Sequence, residues 1–264
     1  MPVTPRFTAL VTGASSGIGA SYAKRLAARG HDLILVARRA DRLEKLASEL
    51  TGAFGVSVRT VTADLSSDAG MAEVADILAS DTSIDMLVNN AGVSYLGASM
   101  EIAPEAIDTL LAVNITALTR LSRAALGGFV ARNRGTIVNI GSVLAFKAPP
   151  IASAYSGTKA YVLLYTRGLQ AELKDTAVKV QAVLPAGVAT EIYDGTILPL
   201  DQIPAELVMN VDALVDAALT GLDRGEEVTL PSVGDLDLWA RFDAAQDALF
   251  AASQTGTPAP RYGV

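Results

Sequence analysis

Short, almost wholly apolar runs alternate along this chain with longer segments of helical pattern, and few architectures accept that order. Residues 7–12, 32–37, 56–61, 85–88, 136–140 and 179–184 predict strands. Most are dense in Val, Ile and Leu without polar alternation, as parallel strands covered on both faces require. Between them, residues 17–29, 40–51, 67–80, 104–132 and 153–175 predict helices. Repeated β-α order implies a doubly wound parallel sheet with right-handed crossovers and helices on both faces, an α/β fold. With 50% hydrophobic residues in 264, the chain has ample material for a core. No linker rich in Pro, Gly or Ser interrupts the rhythm, so residues 1–264 are expected to form one domain. Beyond 184 the pattern loosens into a loop-rich stretch over 185–203. A helix over 205–223, a short strand at 228–230, an amphipathic segment at 235–250 and a tail over 253–264 are expected to follow.

Charge and composition exclude several function classes. Lys plus Arg number 21 against 28 Asp plus Glu, a net charge of −7, the wrong sign for a nucleic-acid partner. The chain has no cysteine and a single histidine, His31, so thiolate chemistry, disulfides and a Cys- or His-clustered metal site fall away. His31 follows Gly30 just before the second strand and reads as a turn residue. Residues 1–10 carry Pro2, Pro5 and Arg6 without an apolar h-region, and no run approaches the ~18 apolar residues of a membrane helix. A cytoplasmic protein without membrane contact is expected. The charge is uneven: residues 1–50 hold eight Lys/Arg and four Asp/Glu, residues 191–250 two and thirteen. The basic end coincides with a phosphate-binding motif.

That motif is Thr12-Gly13-Ala14-Ser15-Ser16-Gly17-Ile18-Gly19, between the first strand and the first helix. Glycines there permit a tight turn and let backbone N–H groups approach a pyrophosphate, and the helix N-terminus adds free amides and its positive dipole end. An NAD site would carry an acid at the end of strand two to bind the ribose 2′-hydroxyl. Here Ala37 and Arg38 stand in that place, Arg38 lying 19 residues after Gly19. A guanidinium can fork onto a 2′-phosphate, which favours NADP(H) over NAD(H).

Tyr155 and Lys159 are four apart, hence on one face of the 153–175 helix. A free tyrosine titrates near ~10, too high for efficient proton exchange at neutral pH, and an adjacent ammonium is expected to lower it. Ser142 lies 13 residues upstream, at the end of strand five, where strand C-termini face the ligand crevice. Asn114, flanked by Val113 and Ile115 on an apolar helix, needs hydrogen-bond partners.

Taken together, these residues resemble the short-chain dehydrogenase/reductase family over the stretch from Phe7 to Thr190. The resemblance rests on Thr12-Gly13-x3-Gly17-x-Gly19, Asp64, Asn89-Asn90-Ala91-Gly92, Asn114, Ser142 and Tyr155-x3-Lys159. It implies a Rossmann-type domain with a seven-stranded parallel sheet, and a homodimer or homotetramer built partly through the helix carrying Tyr155. Tyr155 would be the general acid/base, Ser142 would polarise the substrate oxygen, and Lys159 would bind the nicotinamide ribose. Asn114 would complete a proton relay through water. Gly13, Ser15, Ser16, Gly17, Ile18 and Gly19 would cradle the pyrophosphate side and Arg38 the 2′-phosphate, shared with Ser15. Asp64 and Leu65 would meet the adenine, Asn90, Ala91 and Gly92 the adjoining ribose, and Pro185, Val188 and Thr190 the carboxamide end. One departure is visible: where the family often has Pro-Gly after strand six, this chain reads Pro185-Ala186-Gly187. Gly157, inside the Tyr155 helix, costs about 1 kcal/mol of helix propensity against Ala, and close approach of cofactor or helix would account for it.

The expected reaction is hydride transfer between a nicotinamide and a carbonyl or secondary alcohol, without a metal. Residues 189–225 would supply the substrate-binding lid and helix. Ser94, Leu96, Leu144, Phe146, Ile192 and Tyr193 would line the pocket with Tyr95, Ile197 and Leu198 nearby, favouring an apolar or aromatic small molecule. Trp239, Phe242, Leu249 and Phe250 would pack as core or subunit contact. Two other readings are a catalytically silent NADP(H)-binding sensor, for which Ser142, Tyr155 and Lys159 have no use, and an epimerase or dehydratase of the same family, which would need a longer C-terminal domain.

Overall fold

The structure, a computed structural model, describes residues 7–194 and 196–263; Pro2, Pro5 and Arg6 lie outside the described residues. The chain divides into two compact units, Met1–Pro231 and Ser232–Val264. The first holds the α/β fold. Its strands are β1 (Thr8–Thr12), β2 (Asp32–Ala37), β3 (Val58–Thr62), β4 (Ile84–Asn89), β5 (Gly135–Ile140), β6 (Val178–Val183), the short β7 (Gly187–Val188) and β8 (Val208–Met209), and β9 (Val228–Thr229). Its helices are α1 (Gly17–Ala28), α2 (Ala40–Phe54), α3 (Asp68–Ser80), α4 (Pro104–Leu111), α5 (Leu118–Ala131), α6 (Ser153–Glu172) and α7 (Val211–Asp223). Seven strands form one parallel sheet in the order β3-β2-β1-β4-β5-β6-β9, and β7 and β8 form a separate parallel pair.

Successive residues of the inner strands enter opposite cores, which is why most strands show little polar alternation; β3, at the sheet edge, keeps Arg59 and Thr62 exposed. Ala9, Val11, Leu33 and Leu35 pack with Tyr22, Leu26, Leu43 and Leu219 of α1, α2 and α7. Leu10, Ile34 and Val36 point the other way, into a core shared with Val74, Leu121, Phe129 and Leu169 of α3, α5 and α6. Each such leucine contributes about 1.5–3 kcal/mol by leaving water. A buried polar chain ties the second face: Asn89 Nδ2 donates to Ser122 Oγ and Asn139 Oδ1, both at 2.9 Å, and Asn139 Nδ2 donates to Thr166 Oγ1 at 2.9 Å. The sheet order reverses between β1 and β4, and the loops leaving those two strands open the crevice where such folds bind ligands.

Three elements differ from the sequence expectation. The single helix over 104–132 is two α-helices joined by a π turn at Ala112–Ala117, which contains Asn114. The helix expected from 205 starts at Val211, where Asn210 Oδ1 accepts from the N–H groups of Asp212 and Ala213 at 2.8 and 3.3 Å. The preceding residues make a 3-10 turn, Ala205–Leu207, and strand β8. In the second unit, helix α8 (Leu236–Ser253) has no buried residue, which removes the expectation that Trp239, Phe242, Leu249 and Phe250 pack as core.

Candidate active site

The loop after β1 is pinned from below. Thr12 Oγ1 donates to the carbonyl of Val88 and accepts from the N–H groups of Asn90 and Ala91, both at 3.0 Å. Asn90 Nδ2 returns to the carbonyls of Thr12 and Gly13 at 2.9 and 3.3 Å. Gly13 and Gly17 take φ of 66° and 52°, the left-handed region that favours glycine. A Cβ on Gly13 would stand 2.8 Å from Asn90 Nδ2, and one on Gly19 only 2.4 Å from the carbonyl oxygen of Gly13. Helix α1 then opens with no side-chain cap, so its first amides face outward, as an anion site needs. The hydroxyls of Ser15 and Ser16 accept instead from Arg39 Nη2, at 3.0 and 2.8 Å.

From this cradle a cleft of about 940 Å³ runs in two directions. One end is walled by Arg38, Arg39, Asp64 and Leu65, at the C-terminal ends of β2 and β3. Arg38 is exposed, and its charge helps hold the Asp64 carboxyl below its ordinary value, after the larger effects of the Ser66 N–H and hydroxyl that bond to it. Arg39 Nη1 and Arg42 Nη1 converge on Glu191, at 2.8 and 2.6 Å.

At the other end stand Ser142, Tyr155 and Lys159. Ser142 leaves β5 in extended conformation and caps the turn Val143–Ala145, its Oγ accepting from Leu144 N at 3.1 Å and donating to Pro185 O at 3.4 Å. The first turn of α6 presents Tyr155 and Lys159 one above the other, with the ammonium 5.6 Å from the phenol ring centre. Lys159 Nζ donates to the carbonyl of Ile140 at 2.9 Å, the last residue of β5. Burial lowers its pKa to about 8. Tyr155 does not follow the expectation of a lowered value. Burial, with a smaller effect from Tyr193, raises its phenol above the ordinary range. Desolvation of the buried phenol dominates, and the expected lowering by the neighbouring ammonium does not emerge.

Asn114 lies behind the cleft wall. The π turn aims its amide at the strand-four loop: Oδ1 accepts from Val93 N at 2.9 Å, and Nδ2 donates to Val93 O at 3.0 Å and Thr158 Oγ1 at 3.2 Å. Gly92 fills the gap, its would-be Cβ 3.4 Å from Asn114 Oδ1 and 3.8 Å from Lys159 Nζ. The amide therefore fixes the backbone that carries Asn90, Ala91 and Gly92 past the reactive pair.

The cleft wall brings together Gly13, Ser15, Ser16, Gly17, Ile18, Arg38, Asp64, Leu65, Asn90, Ala91, Gly92, Pro185, Val188 and Thr190, residues that the family resemblance groups around one cofactor. Ser94, Tyr95, Leu96, Leu144, Ile192, Tyr193 and Leu198 also lie on it. Four expected residues do not. Gly19 is packed under the loop, where any side chain would collide with Gly13. Asn114 is set back by the π turn. Phe146 follows the 3-10 turn that Ser142 caps and lies outside the wall, 42% exposed. Ile197 is likewise outside and exposed. Pro149, Ile151, Ile203 and Leu207 join the wall without a signal in the sequence, because only the folding of two loops over the cleft brings them there. The Pro185-Ala186-Gly187 departure has a local cause: a Cβ on Gly187 would lie 2.7 Å from Leu207 O, so glycine is needed where β7 meets β8. Gly157 stands in contrast: a Cβ added there would meet nothing within 4 Å among the described residues, so no other helix of this chain accounts for the glycine. His31 sits at the turn between α1 and β2, off the cleft.

A phosphate cradle at a strand-order reversal, continuous with a tyrosine–lysine pair beside a serine hydroxyl, defines a nucleotide-binding α/β enzyme class with acid–base chemistry at one end of the cleft. Residues 7–197 match the family model described as short chain dehydrogenase, and the chain belongs to that family. A very-long-chain 3-oxoacyl-CoA reductase of Anas platyrhynchos is 35% identical over 188 residues, 70% of this chain and 60% of the relative. The 17-beta-hydroxysteroid dehydrogenase type 3 of Homo sapiens is 35% identical over 184 residues, 69% and 59% of the two chains. The chain thus matches about 60% of the length of these curated relatives. Two solved structures are similar throughout. A short-chain dehydrogenase from Sphingobium yanoikuyae in complex with NADPH has a TM-score of 0.93 at 45% identity, covering 97% of this chain and 100% of that one. A bulky-bulky ketone specific alcohol dehydrogenase from Comamonas testosteroni has a TM-score of 0.91 at 42% identity, covering 98% and 99%. Among the described residues, no helix is long and apolar enough to cross a membrane.

Proposed function

We propose that this protein is an NADP(H)-dependent oxidoreductase that exchanges a hydride between the nicotinamide and a carbonyl or secondary alcohol of apolar or aromatic character. The observation that carries the reading is one continuous cleft with a glycine cradle in its middle, arginines at one end and Ser142, Tyr155 and Lys159 at the other. A volume of about 940 Å³ is ample for a dinucleotide and a small substrate together. The fit of a dinucleotide rests on the cradle itself: Gly13 and Gly17 hold backbone conformations unfavourable to other residues, and the amides of α1 are uncapped. Gly13, Ser15, Ser16, Gly17 and Ile18 would hold the pyrophosphate side, Arg38 the 2′-phosphate, Asp64 and Leu65 the adenine, and Val188 and Thr190 the carboxamide end. When bound, the dihydronicotinamide supplies the hydride.

The protein's part is proton transfer and charge placement. The Tyr155 phenol is protonated at neutral pH, and burial makes it a weaker acid than a free tyrosine. Oη gives its proton to the carbonyl oxygen because that oxygen, as it becomes an alkoxide, is the stronger base. Ser142 Oγ, already held by Leu144 N and facing the cleft, donates to the same oxygen and stabilises its developing charge. Lys159 binds the nicotinamide ribose and keeps a positive charge behind the phenol, favouring the phenolate left after proton donation. The Asn114 amide positions the loop between these groups, and a water held near it completes the route by which the proton is replaced. Of the 189–225 segment expected to bind substrate, the part from Thr190 to Leu207 forms the lid side of the cleft, whereas helix α7 packs its Val215 and Leu219 into the core with α1 and lines none of the cleft wall. Leu96, Leu144, Ile151, Ile192 and Leu198 give the substrate end an apolar wall, in keeping with a neighbour described as specific for bulky ketones.

The test is NADPH oxidation against aliphatic, aromatic, steroid-like and 3-oxoacyl thioester carbonyls, with Tyr155→Phe as control. Turnover by the wild type should fall by about 10²–10⁴ in the variant, while NADPH binding followed by fluorescence stays unchanged. Undiminished turnover in the variant would remove Tyr155 from the proton transfer.

A further inference from the structure

Three arginines follow β2 within five residues, and the structure employs them differently. Arg38 faces the cleft beside Asp64. Arg39 reaches over the phosphate loop with all of its nitrogens: Nε and Nη2 donate to Ser15 Oγ at 3.2 and 3.0 Å, Nη2 also to Ser16 Oγ at 2.8 Å, and Nη1 to Glu191 Oε2 at 2.8 Å. Glu191 turns its second oxygen to Arg42 Nη1 at 2.6 Å. Arg39 and Glu191 both line the cleft, whereas Arg42 lies outside its wall. Glu191 is the first residue of the turn Glu191–Tyr193. Thr190, just before it, lies against Gly17 of the cradle, and Tyr193 shares the cleft wall with Tyr155.

We propose that Glu191 is a specificity-determining residue: its carboxylate stands on Arg39 as an internal anion and yields that guanidinium to the cofactor's 2′-phosphate, coupling phosphate recognition to the turn that carries Tyr193. The inference rests on the NADP(H) reading above. The locus is furnished for an oxyanion, since the Ser15 and Ser16 hydroxyls sit on the same guanidinium and can rotate to donate. A phosphate brings more charge and more acceptor oxygens than a carboxylate, and Arg presents a planar fork suited to it. Two anions on one guanidinium repel, so each weakens the other's hold on Arg39. The Arg39 and Arg42 hydrogen bonds keep Glu191 ionised, with a pKa of about 2, so the competitor is present at every physiological pH. Arg42 retains Glu191 after the exchange, which confines the movement to the turn. A cofactor with a free 2′-hydroxyl makes no claim on Arg39 and leaves the pair intact.

The experiment uses the full chain and two probes that lack nicotinamide, adenosine 2′,5′-bisphosphate and adenosine 5′-monophosphate, titrated by calorimetry. Wild type should prefer the bisphosphate. Glu191→Gln should tighten the bisphosphate by about 1.5-fold to fivefold, the range of one exposed charge pair, and leave the monophosphate unchanged. Amide exchange at residues 191–194 should rise when wild type takes the bisphosphate and show no such response in the variant. A wild type that prefers the bisphosphate, with a variant that binds it equally or more weakly, would overturn the proposal and reduce Glu191 to a support for Arg39. Equal binding of both probes by wild type would overturn the NADP(H) reading, and this inference with it.

Discussion

Lys159 shows how one residue trades stability against chemistry. Its ammonium is buried under the cleft floor, held by the carbonyl of Ile140, and its pKa of about 8 lies below the ordinary 10.5. The folded state therefore releases this proton more readily than the unfolded chain does. The cost of burying the charge is full below about pH 8 and is relieved as pH rises from there toward 10.5. Lys159→Met should raise stability at pH 7 by roughly 1–2 kcal/mol, after the lost hydrogen bond to Ile140 is set against the relief. Urea unfolding at pH 7 and pH 10 should show that gain shrinking at the higher pH. On the proposed mechanism the same titration should govern turnover in the reducing direction. Its kcat/KM should fall as pH passes about 8 and the ammonium behind Tyr155 disappears, a limb that is absent from the low residual rate of the Met variant. A profile flat through pH 9 would mean that the charge of Lys159 does not assist the phenol.

Among the elements, two glycines read alike in sequence and differ in structure. Gly13 has φ of 66° and its Cβ would press Asn90 and Ala91, whereas Gly157 lies in the first turns of α6 with an ordinary helical backbone and open space around it. Gly13→Ala should cost about 1–3 kcal/mol and loosen dinucleotide binding. Gly157→Ala should stabilise by about 0.5–1 kcal/mol. Thermal unfolding of the two variants separates them. A loss from Gly157→Ala would instead reveal a second surface against this face of α6, where the subunit contact expected from the family resemblance would lie. The same contrast explains what the sequence can disclose. Strands such as β1, β2 and β4 are legible because a strand covered on both faces is dense in apolar residues, whereas the edge strand β3 keeps Arg59 and Thr62 exposed and is legible only from its place in the β-α order. The cradle and the Tyr155–Lys159 pair are legible because they are local, fixed by short spacings on one turn or one helix. The π turn at Ala112–Ala117 is not, since one extra residue per turn leaves the apolar pattern of a long helix almost unchanged. Strands β7 and β8, two residues each, are too short to leave a pattern. The pairing of Arg39 and Arg42 with Glu191 is equally silent. Glu191 lies 152 and 149 residues from those two arginines, and no spacing reveals a contact made by a returning loop. Phe146 misleads for a related reason, because the direction of a side chain after a 3-10 turn is set by the loops around it and not by its distance from Ser142.

For the whole molecule, opposed carboxylates set the pH range of greatest stability. Glu191, Asp64 and Asp216 are held below their ordinary values by partners in the fold, so their stabilisation is present above the unfolded pKa and is lost as pH falls through the folded one. All three are largely exposed, which makes that acid limb shallow. Asp85 acts in the other direction. It sits near the start of β4 in the middle of the sheet, Oδ1 has no hydrogen-bond partner among the described residues, and burial outweighs the attraction of Arg134 and Arg132 to raise its pKa to about 6. A raised carboxyl binds its proton more tightly when folded. Its contribution is complete below the unfolded value of 3.8 and is lost as pH rises through about 6, so at pH 7 the buried carboxylate weakens the fold. Asp85→Asn keeps the shape and removes the charge. It should gain on the order of 1 kcal/mol at pH 7.5, discounted for the water that still reaches the site, and nothing at pH 4. Denaturant unfolding at the two pH values decides the matter. If the variant is weaker than wild type at pH 7.5, the arginines have won the contest at Asp85, and its charge belongs among the supports of the sheet.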